Sequence, residues 1–258
     1  MAVNHANHGL VPVSGGSVAT TSPGLAVEGM ESLDQSDLVL PRWSIIQPTS
    51  QKPGAEEHPG QFVRNIDGEF RPYVDAVILQ VNKTRLLWSG DLSDNRPECL
   101  SRDGAQGSVY GPCTECEFNI EVNPDLAAER AANPKSSLKI CGRGYTYIIV
   151  DDPEAETIAL LGAMGTSVRP ARVLNTQFVQ RRRPPFTAVV RFETEMTRND
   201  RGKFYVLKPR IVKWLEPERA QAMRELYLSL KGMAIKDIDD DAEPEASDGP
   251  GQQGDLPF

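Results

Sequence analysis

Long apolar runs are missing from this chain: no stretch approaches the roughly 20 residues that a helix needs to cross a bilayer. The opening Met-Ala-Val-Asn-His also lacks the apolar core of a secretory signal. The expectation is a cytoplasmic protein with no membrane partner. Histidine is scarce, with His5, His8 and His58 the three in 258 residues, and no nucleophile has one placed to serve it. No P-loop is present. Asp151-Asp152 stands before Pro153 in a turn signal, and Glu193 and Glu195 fall on the outward face of an expected strand. Neither pair reads as nuclease carboxylates, so catalysis and a small-molecule substrate are not expected. Cysteine is limited to four residues. In a reducing cytosol they would stay thiols, which favours a metal site over disulfides. There is no internal repeat.

Lysine and arginine are absent from Asp237 to Phe258, where eight carboxylates fall (Asp237, Asp239, Asp240, Asp241, Glu243, Glu245, Asp248 and Asp255). The formal net charge of −8 therefore belongs to this tail, and residues 1–236 balance to zero. Within them, Lys139 to Trp214 carries fourteen basic residues against seven acidic ones, a local +7. An acidic pI thus conceals a basic segment suited to phosphates.

The length suits one sizeable core with appendages. Residues 1–36, rich in Gly, Ser, Thr, Ala and Asn, show no sustained apolar period and read as a flexible arm. Order is expected over 37–235. Trp43 and Ile45 alternate with Ser44 and Ile46 as in a strand, and Tyr73 to Val81 is a β-branched run followed by the short run Leu86-Leu87-Trp88. The pattern breaks from Asn95 to Ile140, within an insert at about 95–141, and that stretch holds the first three cysteines and, between Pro124 and Pro134, a short helical candidate. Alternation resumes from Cys141 to Val150, with Tyr145, Tyr147 and Ile149 on one face, and Thr157 to Leu161 makes another strand. Ala171, Leu174 and Phe178 stand at helical spacing within 168–180. A long hairpin follows, Phe186 to Thr197 and Lys203 to Trp214 around a turn at 199–202, with Phe186, Ala188, Val190, Phe192 and Met196 on one face. Pro217 suits a first helical position, Met223, Leu226, Tyr227 and Leu230 form a stripe, and Gly232 can end that helix. The expected fold is mainly β, an OB-type five-stranded barrel with an inserted zinc-binding subdomain, a C-terminal helix and disordered termini.

The cysteines are spaced Cys99-x13-Cys113-x2-Cys116-x24-Cys141. Two thiolates two residues apart in a tight turn, here prepared by Gly111-Pro112, can both reach one tetrahedral Zn²⁺ at about 2.3 Å. Cys99 and Cys141 flank the insert, so a structural Zn²⁺ would pin both its ends. A closed Cys₄ shell leaves no catalytic position. The competing readings are a redox pair, which normally opens a helix after a strand, and four unrelated core cysteines.

Binding a single strand needs cations along the phosphates and π-faces for the bases. Arg181, Arg182 and Arg183 precede the hairpin, Arg191 lies in its first strand, and Arg198, Arg201 and Lys203 ring its turn. Lys208, Arg210 and Lys213 continue along the second strand. Tyr145, Tyr147, Phe204 and Tyr205 interleave with these, and Trp43 beside Arg42 and Trp88 near Arg85 are further candidates. The bland alternative is that the aromatics pack the barrel and the cations merely solvate it. Single-stranded DNA is the expected partner.

The acidic stretch ends on Asp255-Leu256-Pro257-Phe258, an apolar tip fit for a partner's pocket. This tip resembles that of bacterial single-stranded DNA-binding proteins, whose tails recruit replication, recombination and repair enzymes. Over about 38–258 the chain is also similar to phage replication single-strand-binding proteins, on Leu40-Pro-Arg-Trp, Cys99-Leu-Ser-Arg-Asp-Gly, Gly111-Pro-Cys-Thr-Glu-Cys and the final hairpin and helix. That resemblance implies an OB fold, an inserted zinc module, a tail at 236–258 that recruits partners, and a role in coating and protecting single-stranded DNA. The cysteine insert has no counterpart in the bacterial family, and an all-cysteine set departs from phage versions that use a histidine ligand. The rival reading is a zinc-containing transcription factor that contacts RNA polymerase through its tail, for which no recognition helix is visible.

Overall fold

The computed structural model describes residues 39–48, 50, 54, 57–88, 97–133, 138–152, 157–199 and 202–231, within the unit Asp34–Phe258. The expected arm at 1–36, the tail at 236–258 with Asp255, Leu256, Pro257 and Phe258, the turn residue Arg201 and the capping Gly232 lie outside the described residues.

In chain order the strands are β1 (Arg42–Ile45), β2 (Phe62–Arg64), β3 (Phe70–Arg71), β4 (Val74–Trp88), β5 (Pro97–Ser101), β6 (Gln106–Gly107), β7 (Gly111–Pro112), β8 (Gly142–Asp152), β9 (Thr157–Ala163), β10 (Ala188–Asn199) and β11 (Gly202–Trp214). The helices are α1 (Pro124–Ala132), α2 (Val168–Arg181) and α3 (Pro217–Leu230). Nine strands form one mixed sheet, ordered β11-β10-β4-β8-β9-β1-β2-β3 with β5 paired to β4, and β6 and β7 pair separately. Only β1 and β9 run parallel among these ladders, with Trp43 opposite Leu161. The sheet is larger than the five strands expected, and among the described residues no ladder joins β11 to β3. No helix is long and apolar enough to cross a membrane among those residues.

Both faces of the sheet are covered, which explains why Ala76 to Leu79 is apolar without alternation. Ala76 and Ile78 join Trp43, Tyr147, Phe192 and the α2 residues Ala171, Leu174 and Phe178 in one core. Val77 and Leu79 join Ile148, Val189 and the α3 residues Met223 and Leu230 in a second. Each such side chain, fully buried, contributes about 1.5–3 kcal/mol. Strand β4 runs unbroken where two separate runs were expected, because Asn82 to Arg85 stay paired with Arg143 to Thr146 on β8. Backbone pairing holds those polar residues in the strand, where Lys83 is exposed, Asn82 and Arg85 are half-buried and Thr84 is buried.

The hairpin differs at both ends from the expected face. Phe186 lies in a 3₁₀ turn (Pro185–Thr187) before β10 and stacks on Tyr227 at 5.5 Å. Met196 is 55% exposed, since β4 accompanies β10 only from Val189 to Phe192 and the hairpin projects beyond it. Helix α2 ends at Arg182, whose left-handed φ of 51° lets its N–H reach the carbonyls of the last turn. Pro217 opens α3 as expected.

Candidate nucleic-acid interface and metal centre

The insert between β4 and β8 is tied to the sheet through its cysteines. Cys99 sits on β5 opposite Leu87 of β4, Cys113 follows β7, and Cys141 immediately precedes β8 with its N–H on the Phe118 carbonyl at 2.8 Å. All four cysteines line one cavity of about 10 Å³, together with Gly107 and Gly111. The backbone closes tightly there: a Cβ on Gly107 would lie 2.9 Å from Cys99 Sγ, and Gly111 has a φ of +69°, so both turns need glycine. Leu87, Tyr110 and Phe118 cover the cluster. Burial pushes the Cys141 thiol up to about 11, which keeps it protonated where no cation draws off the proton. Among the described residues no group of three or more His, Cys, Asp or Glu side chains already stands at metal-binding separation. The convergence on one small cavity is geometric, and the donor set is four soft sulfurs, which suits Zn²⁺. His58 stacks on Phe70 at 4.4 Å and does not line the cavity.

A residue outside the cysteine set braces this cluster. Asn119 is buried, its amide donating to the Cys113 carbonyl at 2.6 Å while its oxygen accepts from Arg85 at 2.9 Å and from the Glu121 N–H at 3.1 Å. Arg85 and Arg143 both pair with Glu121. The cysteine turn is thereby braced against β4 and β8.

Of the aromatic residues singled out, Trp43 and Tyr147 are core. Trp43 is 2% exposed and donates to Asp151 Oδ2 at 2.6 Å, between the guanidinium groups of Arg64 and Arg71 at 5.3 and 4.8 Å from its ring. Tyr147 is fully buried, with its hydroxyl 3.1 Å from Asn175 Oδ1, and burial raises its pKa. Neither ring has a face to offer a base, so both are withdrawn as stacking residues. Tyr145 is half-buried against the same core. Trp88 is 53% exposed, and Phe204 and Tyr205 are half-buried.

The cations divide as sharply. Arg191 is clasped by both oxygens of Asp75 at 2.7 and 2.6 Å and lies 3.9 Å over the Tyr73 ring, and the Asp75 bond raises its pKa. Arg210 pairs with Glu193 at 3.2 Å and Lys208 with Glu195 at 3.1 Å. The middle of the hairpin is therefore close to neutral, and Glu193 and Glu195 are explained as cross-strand partners. Arg42 is half-buried beside Gly162. Arg181, Arg182, Arg183, Lys203 and Lys213 are exposed and make no ion pair among the described residues, with Arg183 lying 4.6 Å over Trp214. Cations at the end of α2 also suit its dipole.

Trp88, where the insert leaves β4, and Lys203, Phe204 and Tyr205, where the hairpin enters β11, line one open cleft of about 370 Å³. Gln47, Pro48 and the turn from Met164 to Ser167 also line it, and Lys203 is the one charged residue among the described lining. Tyr205 is held from two sides. Gln47 donates to its carbonyl at 2.9 Å and accepts from its N–H at 2.8 Å. Its ring lies against Gly60, where a Cβ would come within 2.3 Å, and Thr194 Oγ1 donates to the Gly60 carbonyl at 2.5 Å. Gln47, Gly60 and Met164 were not singled out from the sequence, because each acts through partners far along the chain.

No curated protein and no solved structure matches this chain. A family model described as Pam3 phage gp34-like protein matches residues 16–236. Its name agrees with the phage resemblance read from the sequence. That match spans the whole described sheet, the cysteine insert and the cleft, and on it the chain belongs to the Pam3 phage gp34-like family.

Proposed function

We propose that this protein binds single-stranded DNA with little sequence preference, on an OB-type sheet braced by a structural Zn²⁺ at Cys99, Cys113, Cys116 and Cys141, and is not an enzyme. The observation that carries the reading is the meeting of two loops. Strands β11-β10-β4-β8-β9, with α2 between β9 and β10, follow the order of the fifth, fourth, first, second and third strands of an OB domain. In that frame the loop joining the first two strands is the cysteine insert, and the loop joining the last two is the hairpin turn. Oligonucleotides bind OB domains at these loops and at the face of the second and third strands. Here the strand residues that lead into and out of those loops, Trp88 of β4 and Lys203 of β11, line one cleft. Strand β1 pairs with the edge of β9 at which such a barrel would close.

Lys203 and Lys213, which make no ion pair among the described residues, stand near the two ends of β11, whose 13 residues span about 40 Å at strand rise, a path of several nucleotides. In a phage such a protein would coat and protect single strands during replication, recombination and repair, with its acidic tail recruiting partner enzymes. The test compares affinity of the full chain for a dT oligomer and a duplex of equal length at one salt concentration. Clear preference for the oligomer is expected. Replacing Arg181, Arg182 and Arg183 together with alanine should weaken binding and lower the log–log salt slope by about 0.7 for each phosphate that is no longer neutralised. Equal or tighter binding to duplex would overturn the reading in favour of a duplex-binding transcription factor.

A further inference from the structure

We propose that the cleft between Trp88 and Tyr205 takes a single unpaired nucleobase out of the strand, so that entry of a base, and not charge alone, distinguishes single strands from duplex. The inference rests on the single-strand reading above and names what its central cleft holds. At about 370 Å³ the cleft falls at the small end of ligand sites, which run from about 300 to 1,000 Å³. Its walls are aromatic: the exposed Trp88 indole, Phe204 and Tyr205.

Charge selects the class of ligand. The chain has 36 acidic and 28 basic residues, yet among the described residues no carboxylate lines the cleft and Lys203 is its single charge. A phosphate linked to the stacked base would meet that ammonium group. Hydrogen bonding selects the mode. The Gln47 amide is committed to the Tyr205 backbone, and the Ser167 hydroxyl accepts from the Leu207 N–H at 3.0 Å. Among the described lining residues, Thr166 and the half-buried Tyr205 are left to offer side-chain hydroxyls. A cleft so poor in free polar groups holds a π-face without reading base edges, which gives affinity without sequence preference. Gly60 and Gln47 fix Tyr205 before any ligand arrives, so little ordering remains to be done on binding. A base in a duplex must first be unstacked and unpaired to enter.

The experiment uses the full chain, a dT oligomer and an abasic backbone of equal length and charge at one salt concentration. Wild-type protein should prefer the dT oligomer by about tenfold or more, the scale of one stacked base. Trp88→Ala should bind both as wild type binds the abasic strand. Trp88→Phe should keep most of the affinity and lose most of the tryptophan quenching, because Trp43 is buried and Trp214 lies beneath Arg183. Trp88→Ala with an undiminished preference for dT, or Trp88→Phe with undiminished quenching, would overturn the proposal and leave the single-strand reading standing. Failure of wild-type protein to bind the dT oligomer at all would remove the single-strand reading, and this proposal with it.

Discussion

Gln47 and Tyr205 are 158 positions apart and joined by two hydrogen bonds, the glutamine amide meeting both backbone groups of the tyrosine at 2.8 and 2.9 Å. The side chain does what a neighbouring strand would do. It satisfies one residue of β11 on the side that has no ladder, and it draws the loop after β1 to the opposite end of the sheet. Gln47→Leu would leave an N–H and a carbonyl unpaired in a half-buried place, a cost of about 1–3 kcal/mol. Thermal unfolding should show a lowered midpoint, and affinity for a dT oligomer should fall with it as Tyr205 loosens. An unchanged midpoint would mean that water replaces the amide at no cost.

Trp43 supplies a test of the division between core and surface. Its N–H satisfies a carboxylate whose side chain is wholly buried, with Arg64 at 3.4 Å as the other partner of the same oxygen. Trp43→Phe keeps a ring in the core and removes the donor. A loss of about 2 kcal/mol is expected, within the range for hydrogen bonds to charged groups, with DNA affinity unchanged under conditions where the variant is folded. Weakened binding with unchanged stability would return Trp43 to the interface.

Much of this was legible in the sequence. The long hairpin, the strand around Tyr147, α2 with Ala171, Leu174 and Phe178, and α3 opened by Pro217 all follow from period and turn chemistry. The short strands β2 and β3 were not legible, since their three- and two-residue pairings exist only through β1 for β2 and through β2 for β3. The candidate site divided for a different reason. Alternation shows that Tyr145 and Tyr147 share a face with Ile149, but not which of them α2 covers. Charge counts likewise include Arg191 and Arg210, whose carboxylate partners become visible only with register.

Metal content is directly measurable. Purified protein should contain one Zn²⁺ per chain, and Cys116→Ser or chelation should loosen the insert before the sheet. The centre is braced through Asn119, so Asn119→Ala should weaken metal retention with all four thiols in place; altered outer partners typically cost about 10–100-fold in metal affinity. The expected sign with pH follows from ligation by thiolates: retention falls as pH falls, because protons compete for sulfur. Protein free of zinc, with every cysteine open to thiol reagents, would refute the metal centre.

The acidic stretch 237–258 sets up the last prediction. Its eight carboxylates belong to the same chain as the exposed cations of α2 and the hairpin, and groups linked in one chain meet at an effective concentration on the order of millimolar when the connection is short. They are therefore expected to compete with DNA for those cations. Removing residues 237–258 should raise DNA affinity most at low salt and less near 0.15 M, where the Debye length shrinks to about 8 Å. Deleting only Leu256, Pro257 and Phe258 removes no side-chain charge, so affinity should hardly change, while capture of replication or recombination enzymes should be lost. The two deletions separate a field that acts at a distance from an apolar tip that must fit a pocket. Unchanged affinity of the long deletion at every salt concentration, with partners still captured, would leave those carboxylates a role in solubility alone.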